Sequence, residues 1–139
     1  VVDRGAKLQI ASRTYERSMG LASEIKCEAI QWEERHRASP DLLINCTPVG
    51  MHPEVNETPF EASGMSRRMI GFDTIYNPEQ TLLLKTAHEN GCKTVSGVEM
   101  FVKQAELQFK FFTREEAPGD LMRDTLRKTI GAAKYRSNK

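Results

Sequence analysis

Short apolar runs that end in polar tips alternate along this chain with segments of helical period. Residues 7–11 hold Leu8, Ile10 and Ala11 and predict a strand, and Gly5 before them suits the left-handed close of a helical turn. Residues 14–25 set Met19, Leu21, Ala22 and Ile25 among charges, which predicts a helix with one buried side. A short strand is expected over 27–30. A surface connection follows over 31–40, with Trp32 read as a packing residue and Ala38-Ser39-Pro40 as its punctuation.

Residues 41–47, Asp-Leu-Leu-Ile-Asn-Cys-Thr, give the clearest strand, and the continuous apolar middle suits a parallel sheet covered on both faces. Asn45 is expected to pin the following turn through side-chain to backbone bonds. Thr47 falls at a ligand edge, because ligands of open α/β sheets collect beyond the carboxyl ends of the strands. A rigid loop over 48–53 and a polar stretch over 54–66 lead to a second strand of the same design, 69–76, which ends on Tyr76 and the breaker Asn77-Pro78. A helix is predicted over 79–90 with Leu82, Leu83 and Ala87 buried, then a strand over 93–95. Gly97 opens a helix whose packed side reads as Met100, Phe101, Ala105, Leu107, Phe109 and Phe112, while Gln104 and Gln108 share a face. Residues 117–120 break it; a last amphipathic helix spans 121–130, and the basic tail 134–139 is expected to fray.

This alternation predicts an α/β fold, a Rossmann-like, mostly parallel sheet with helices on both faces. In the common order of such sheets the first strand lies between the second and the fourth. The chain opens at what would be the second strand, so the first strand and its glycine-rich loop are expected to be missing. The slot left behind would have two unpaired edges, which favour self-association or a strand swap.

At 139 residues and 39% hydrophobic, the chain is expected to form one domain, 1–139, lacking that first strand. The 20 basic and 19 acidic side chains nearly cancel, so any anion site must be local, and neither a nucleic-acid nor a membrane partner is expected. No apolar run reaches membrane-spanning length and the first residues lack the apolar core of a signal peptide; a cytoplasmic protein is expected. Cys27, Cys46 and Cys92 contain no Cys-x-x-Cys and the histidines are scattered, so no metal site is expected.

The local anion chemistry sits at residues 8–17, Leu-Gln-Ile-Ala-Ser-Arg-Thr-Tyr-Glu-Arg. Ser12 and Thr14 suit a helix start, and Arg13 and Arg17 are spaced as one helical turn. At the end of the second strand of a dinucleotide-binding sheet an acid takes a free ribose 2′-hydroxyl, whereas arginine accommodates a 2′-phosphate. No acid stands here. A solvated helix face is the other use of the same arginines.

Four stretches in order, Ala-Ser-Arg-Thr-Tyr-Glu-Arg (11–17), Ile-Asn-Cys-Thr-Pro-Val-Gly-Met (44–51), Asp-Thr-Ile-Tyr-Asn-Pro (73–78) and Val-Ser-Gly-Val-Glu-Met-Phe-Val-Lys-Gln-Ala (95–105), resemble the C-terminal NADP-binding half of shikimate dehydrogenase. The resemblance runs from about residue 7 to about residue 118 and is greatest to the bifunctional dehydroquinate dehydratase/shikimate dehydrogenase type. It implies reduction of 3-dehydroshikimate to shikimate by NADPH, a step of aromatic amino-acid biosynthesis. By position it implies that Arg13 and Arg17 clamp the 2′-phosphate with Ser12 and Thr14 beside it, and that Thr47 lines the cofactor groove. Thr74, Gly97 and Met100 would flank the nicotinamide, and Tyr76 and Gln104 would reach the substrate.

The departures bear on function. Ser12 stands where the family usually has asparagine and Pro48 where a polar residue is common. The family's catalytic lysine and aspartate belong to an N-terminal domain that nothing here resembles. No catalytic residue is therefore assigned, and the chain alone is expected to be inactive. A non-catalytic binding or self-association module and an NAD-linked quinate dehydrogenase are the alternatives.

Overall fold

The computed structural model describes residues 2–137, with side chains described through residue 130. The chain packs as two compact units, Val1–Ser39 and Pro40–Lys139.

In the first unit a 3-10 helix, Val2–Arg4, closes at Gly5 with φ +81° and leads into β1 (Gln9–Ala11), α1 (Tyr15–Ile25) and β2 (Glu28–Ile30). The two strands are parallel with Gln9 opposite Glu28, and the Gln9 amide donates to the Glu28 carboxylate at 2.7 Å. Helix α1 ends where Lys26 turns left-handed at φ 57° and returns its N–H to the Ala22 carbonyl. The expected apolar side of this helix packs only at Ala22. Met19, Leu21 and Ile25 stay 37–47% exposed, and the buried positions are Ser18 and Ala22. These two small residues stand one turn apart and let the helix lie close on the strands, which a side of long residues would prevent. In the connection, a 3-10 helix at Trp32–Arg37, the Arg35 guanidinium sits 3.8 Å over the Trp32 ring.

The second unit contains β3 (Leu42–Asn45), β4 (Ile70–Asp73), α2 (Leu82–Glu89), β5 (Lys93–Val95), α3 (Gly97–Thr113) and α4 (Gly119–Ser137). Its sheet has the order β3-β4-β5, all parallel, with Ile44 opposite Phe72 and Phe72 opposite Val95. Helix α2 lies directly on one face: a Cβ at Gly71 would stand 3.2 Å from that of Ala87. Met69, Ala87 and Cys92 form the core there with Leu43 and Met65. The helix begins three residues later than its pattern suggests, because Thr81 is its N-cap and accepts the Leu84 N–H at 3.3 Å. Its buried stripe is Leu83, Leu84 and Ala87, with Leu82 only half buried.

On the opposite face, where β3 was expected to be covered, Leu42, Ile44, Ile70 and Val95 remain 36–44% exposed. Helix α3 reverses a second expectation. It packs through Gly97, Val98 and Val102, while Phe101, Leu107 and Phe112 are 43%, 61% and 79% exposed. Its neighbour α4 is fastened by ion pairs: Arg123 donates through Nε and Nη2 to both Glu99 oxygens at 3.0 and 3.1 Å, and Arg127 bonds Glu79 at 2.6 Å. Helical backbone continues to Ser137 where fraying was expected; the side chains of the basic tail lie outside the described residues. Among the described residues no helix is long and apolar enough to cross a membrane.

Candidate functional site

In the first unit the polar tip of β1 becomes the entry to α1. Ser12 Oγ accepts the Thr14 N–H at 3.3 Å, so it is Ser12 that braces the turn. Thr14 is the N-cap residue, and its side chain makes no capping bond; its carbonyl accepts the N–H groups of Arg17 and Ser18 at 3.1 and 3.4 Å. Arg13 lies outside the helix and Arg17 in its first turn, so the two are not stacked one helical turn apart. Both are exposed, and among the described residues neither forms an ion pair or side-chain hydrogen bond. Two unspent guanidinium groups at the positive end of a helix make a phosphate-attracting turn.

In the second unit the remaining candidates gather at the carboxyl ends of β3 and β4. Asn45, 4% exposed, is the hub. Its Oδ1 accepts from Thr47 N–H at 2.9 Å and from Thr47 Oγ1 at 2.7 Å; its Nδ2 donates to the Val49 carbonyl at 3.2 Å and to Asp73 Oδ1 at 3.1 Å. The expected pinning of the turn is thus present. Thr74 Oγ1 donates to the Asn45 carbonyl at 2.9 Å, which leaves its own lone pairs free to accept from a ligand. Gly97 begins α3 against the strand end, where a Cβ would stand 2.5 Å from the Thr74 carbonyl oxygen. Thr47, Thr74 and Gly97 therefore share one edge. Met100 and Gln104, one turn apart on α3, line a cavity of about 520 Å³ with Phe72, Val95 and Leu107. Tyr76 joins the same helix through Phe101, the ring centroids 5.4 Å apart and tilted by 50°.

Two residues at this edge escaped the sequence reading. Phe101 looked like core and instead supports Tyr76. Asp73 ends an apolar strand and is fully buried; its oxygens accept from Asn45, from Ile75 N–H at 3.0 Å and from Thr81 Oγ1 at 2.7 Å. An acid closing an apolar run was the available signal. Although Cys46 is exposed, partial desolvation of its thiol, and secondarily the nearby Asp73, push its pKa up. Among the described residues no cluster of His, Cys, Asp and Glu is arranged to hold a metal ion.

No family model matches the chain. Among curated proteins it is 43% identical over 122 residues to the chloroplastic bifunctional 3-dehydroquinate dehydratase/shikimate dehydrogenase of Arabidopsis thaliana, covering 86% of this chain and 20% of that one. To shikimate dehydrogenase (NADP(+)) of Methanosarcina acetivorans it is 36% identical over 137 residues, covering 92% of this chain and 49% of the relative. Of the solved structures, quinate dehydrogenase from Corynebacterium glutamicum in complex with NAD superposes with a TM-score of 0.81 at 31% identity, over 91% of this chain and 48% of that one. Shikimate 5-dehydrogenase from Thermus thermophilus with NADP(H) and shikimate gives 0.80 at 27% identity, over 91% and 48%. The chain spans about half the length of the Methanosarcina relative and of both solved chains. It is a homologue of the shikimate dehydrogenases with their Rossmann-like α/β fold, as its four motifs implied.

Proposed function

We propose that this chain is the cofactor-binding half of an NADP-linked shikimate dehydrogenase, whose reaction interconverts 3-dehydroshikimate and shikimate. The observation that carries this reading is the unpaired Arg13 and Arg17 at the start of α1, with no acid to read a free ribose 2′-hydroxyl. Arg13 and Arg17 take the 2′-phosphate, with Ser12 and Thr14 beside them. Thr47 lines the cofactor groove; Thr74, Gly97 and Met100 flank the nicotinamide. The cofactor supplies or accepts the hydride. Thr74 accepts from its carboxamide through the lone pairs left free, and Gly97 keeps the close turn against β4. Tyr76 and Gln104 donate to and accept from the substrate's carboxylate and hydroxyl groups. No acid or base in this chain is assigned to the proton that accompanies the hydride, so the chain alone is inactive in this proposal. We place it in the cytoplasm, and all of residues 1–139 in one nucleotide-binding domain.

NAD-linked quinate oxidation is the second reading, favoured by the NAD-bound quinate dehydrogenase above. Cofactor titration of the chain separates them. NADP is expected to bind at least about tenfold more tightly than NAD; equal affinity, or preference for NAD, refutes the first reading. Shikimate-dependent reduction of NADP is then expected from the complete product of the gene and not from this chain. If neither works, a non-catalytic binding module becomes the better account. We further propose that the chain self-associates or swaps a strand through the slot of the missing first strand, since among the described residues β1 and β3 each pair on one side only. A strictly monomeric elution in size exclusion would refute that.

A further inference from the structure

The bond between Asn45 and Asp73 ties the turn after β3 to the turn after β4, and none of the roles above uses it. Asn45 has two donors and two acceptor sites on its side chain, and all four are spent: on Val49, on Asp73, and twice on Thr47. Asp73 in turn holds Ile75 N–H of the second turn and the hydroxyl of Thr81, the N-cap of α2. Both residues are buried, at 4% and 0% exposure, so each bond is made away from water, where an unmatched partner is costly.

We propose that Asn45 and Asp73 are positioning residues that make the two turns and the start of α2 one rigid edge, so that neither Thr47 nor Thr74 can shift without the other. The consequence for NADP rests on the cofactor assignment above. The amide of Asn45 has one workable orientation, because turning it over would set its oxygen against the Val49 carbonyl and the Asp73 carboxyl group. Aspartate at 45 keeps the two bonds from Thr47 and loses both donors, which leaves two carboxyl groups facing each other. The reciprocal exchange, Asn45→Asp with Asp73→Asn, does not repair this: Asp73 Oδ1 accepts from both Asn45 and Ile75 N–H, so an amide turned to donate to residue 45 gives up the Ile75 bond, and the Val49 carbonyl stays without its donor.

The test compares the wild-type chain, Asn45→Asp and Asp73→Asn by amide NMR without cofactor, and the first two by NADP titration. In Asn45→Asp the Thr74 and Ile75 amides, which belong to the other turn, are expected to move and to exchange faster, and NADP affinity to fall by about tenfold or more. Asp73→Asn, whose amide oxygen can still accept from Asn45 and from Ile75 N–H, is expected to leave the Thr47 and Ile75 amides close to wild type. Should Asn45→Asp fail to fold, hydrogen exchange of the wild-type chain reads the same coupling: the Thr47, Thr74 and Ile75 amides are expected to open at one common rate. Unchanged Thr74 and Ile75 amides in Asn45→Asp, or separate opening rates for the two turns in the wild-type chain, overturn the proposal. If the wild-type chain binds no NADP, the cofactor assignment falls, and the amide comparison still decides whether the turns are coupled.

Discussion

The carbonyl oxygen of Thr74 stands 2.5 Å from the point where a Cβ on residue 97 would be placed. Alanine normally improves a helix over glycine by about 1 kcal/mol. Here the contact is with backbone, which cannot step aside as a flexible side chain would. Gly97→Ala is therefore expected to lower stability by about 1–3 kcal/mol despite the better propensity. A denaturant midpoint at or above that of the parent, with unchanged slope, would show the strand end to be more pliable than described.

Arg17→Gln keeps the length of the side chain and removes its charge. It is expected to weaken NADP binding roughly ten- to hundredfold and to leave NAD binding within about twofold, since only the 2′-phosphate is addressed. Titrations with both nucleotides check this. Parallel losses for the two would mean that Arg17 serves the helix start and not the phosphate.

Arg127 and Glu79 are 47% and 27% exposed, so their pair is screened by salt. Arg127→Ala is expected to destabilise the second unit slightly at low ionic strength, with the difference from wild type vanishing near 1 M salt. Thermal melts at the two ionic strengths measure it. A salt-independent difference would point to lost packing of the arginine stem.

The raised pKa of the Cys46 thiol sets the sign of an alkaline effect. The folded chain holds this proton more tightly than the unfolded chain, so the group's contribution to stability is intact below the ordinary value of 9.0 and is lost as pH rises through the raised one. Alkylation of Cys46 should accordingly turn on above pH 9.0, later than for the same thiol in the unfolded chain, which a rate-pH series resolves. A midpoint at or below that value would remove burial as the controlling influence.

The strands were legible because each combines a short apolar run with a polar end, and all five stand within a few residues of where the pattern puts them. Helix faces were not. In α1 Ala22 packs as expected, but its partner is Ser18, whose small size suits the contact and whose hydroxyl hides it from a hydrophobic pattern. In α3 two apolar stripes compete, and periodicity cannot say that Val98 and Val102 go inside while Phe101 and Phe112 face out. Arg13 and Arg17 could be singled out in sequence because they follow an apolar run at a helix start where no acid stands; that they form no ion pair among the described residues is visible only in the fold. Asp73 showed only as an acid closing an apolar run; its role depends on Asn45 and Thr81, which come near it only in the fold.

Trp32 is the chain's only tryptophan, and it lies in the first of the two units with a guanidinium stacked on its ring. Its emission is thus an optical label already assigned to one half of the molecule: a fluorescence melt follows residues 1–39 and is blind to the rest. Set beside circular dichroism, which weights the long helices α3 and α4, the same sample reports in one experiment whether the two units lose their structure together or in turn.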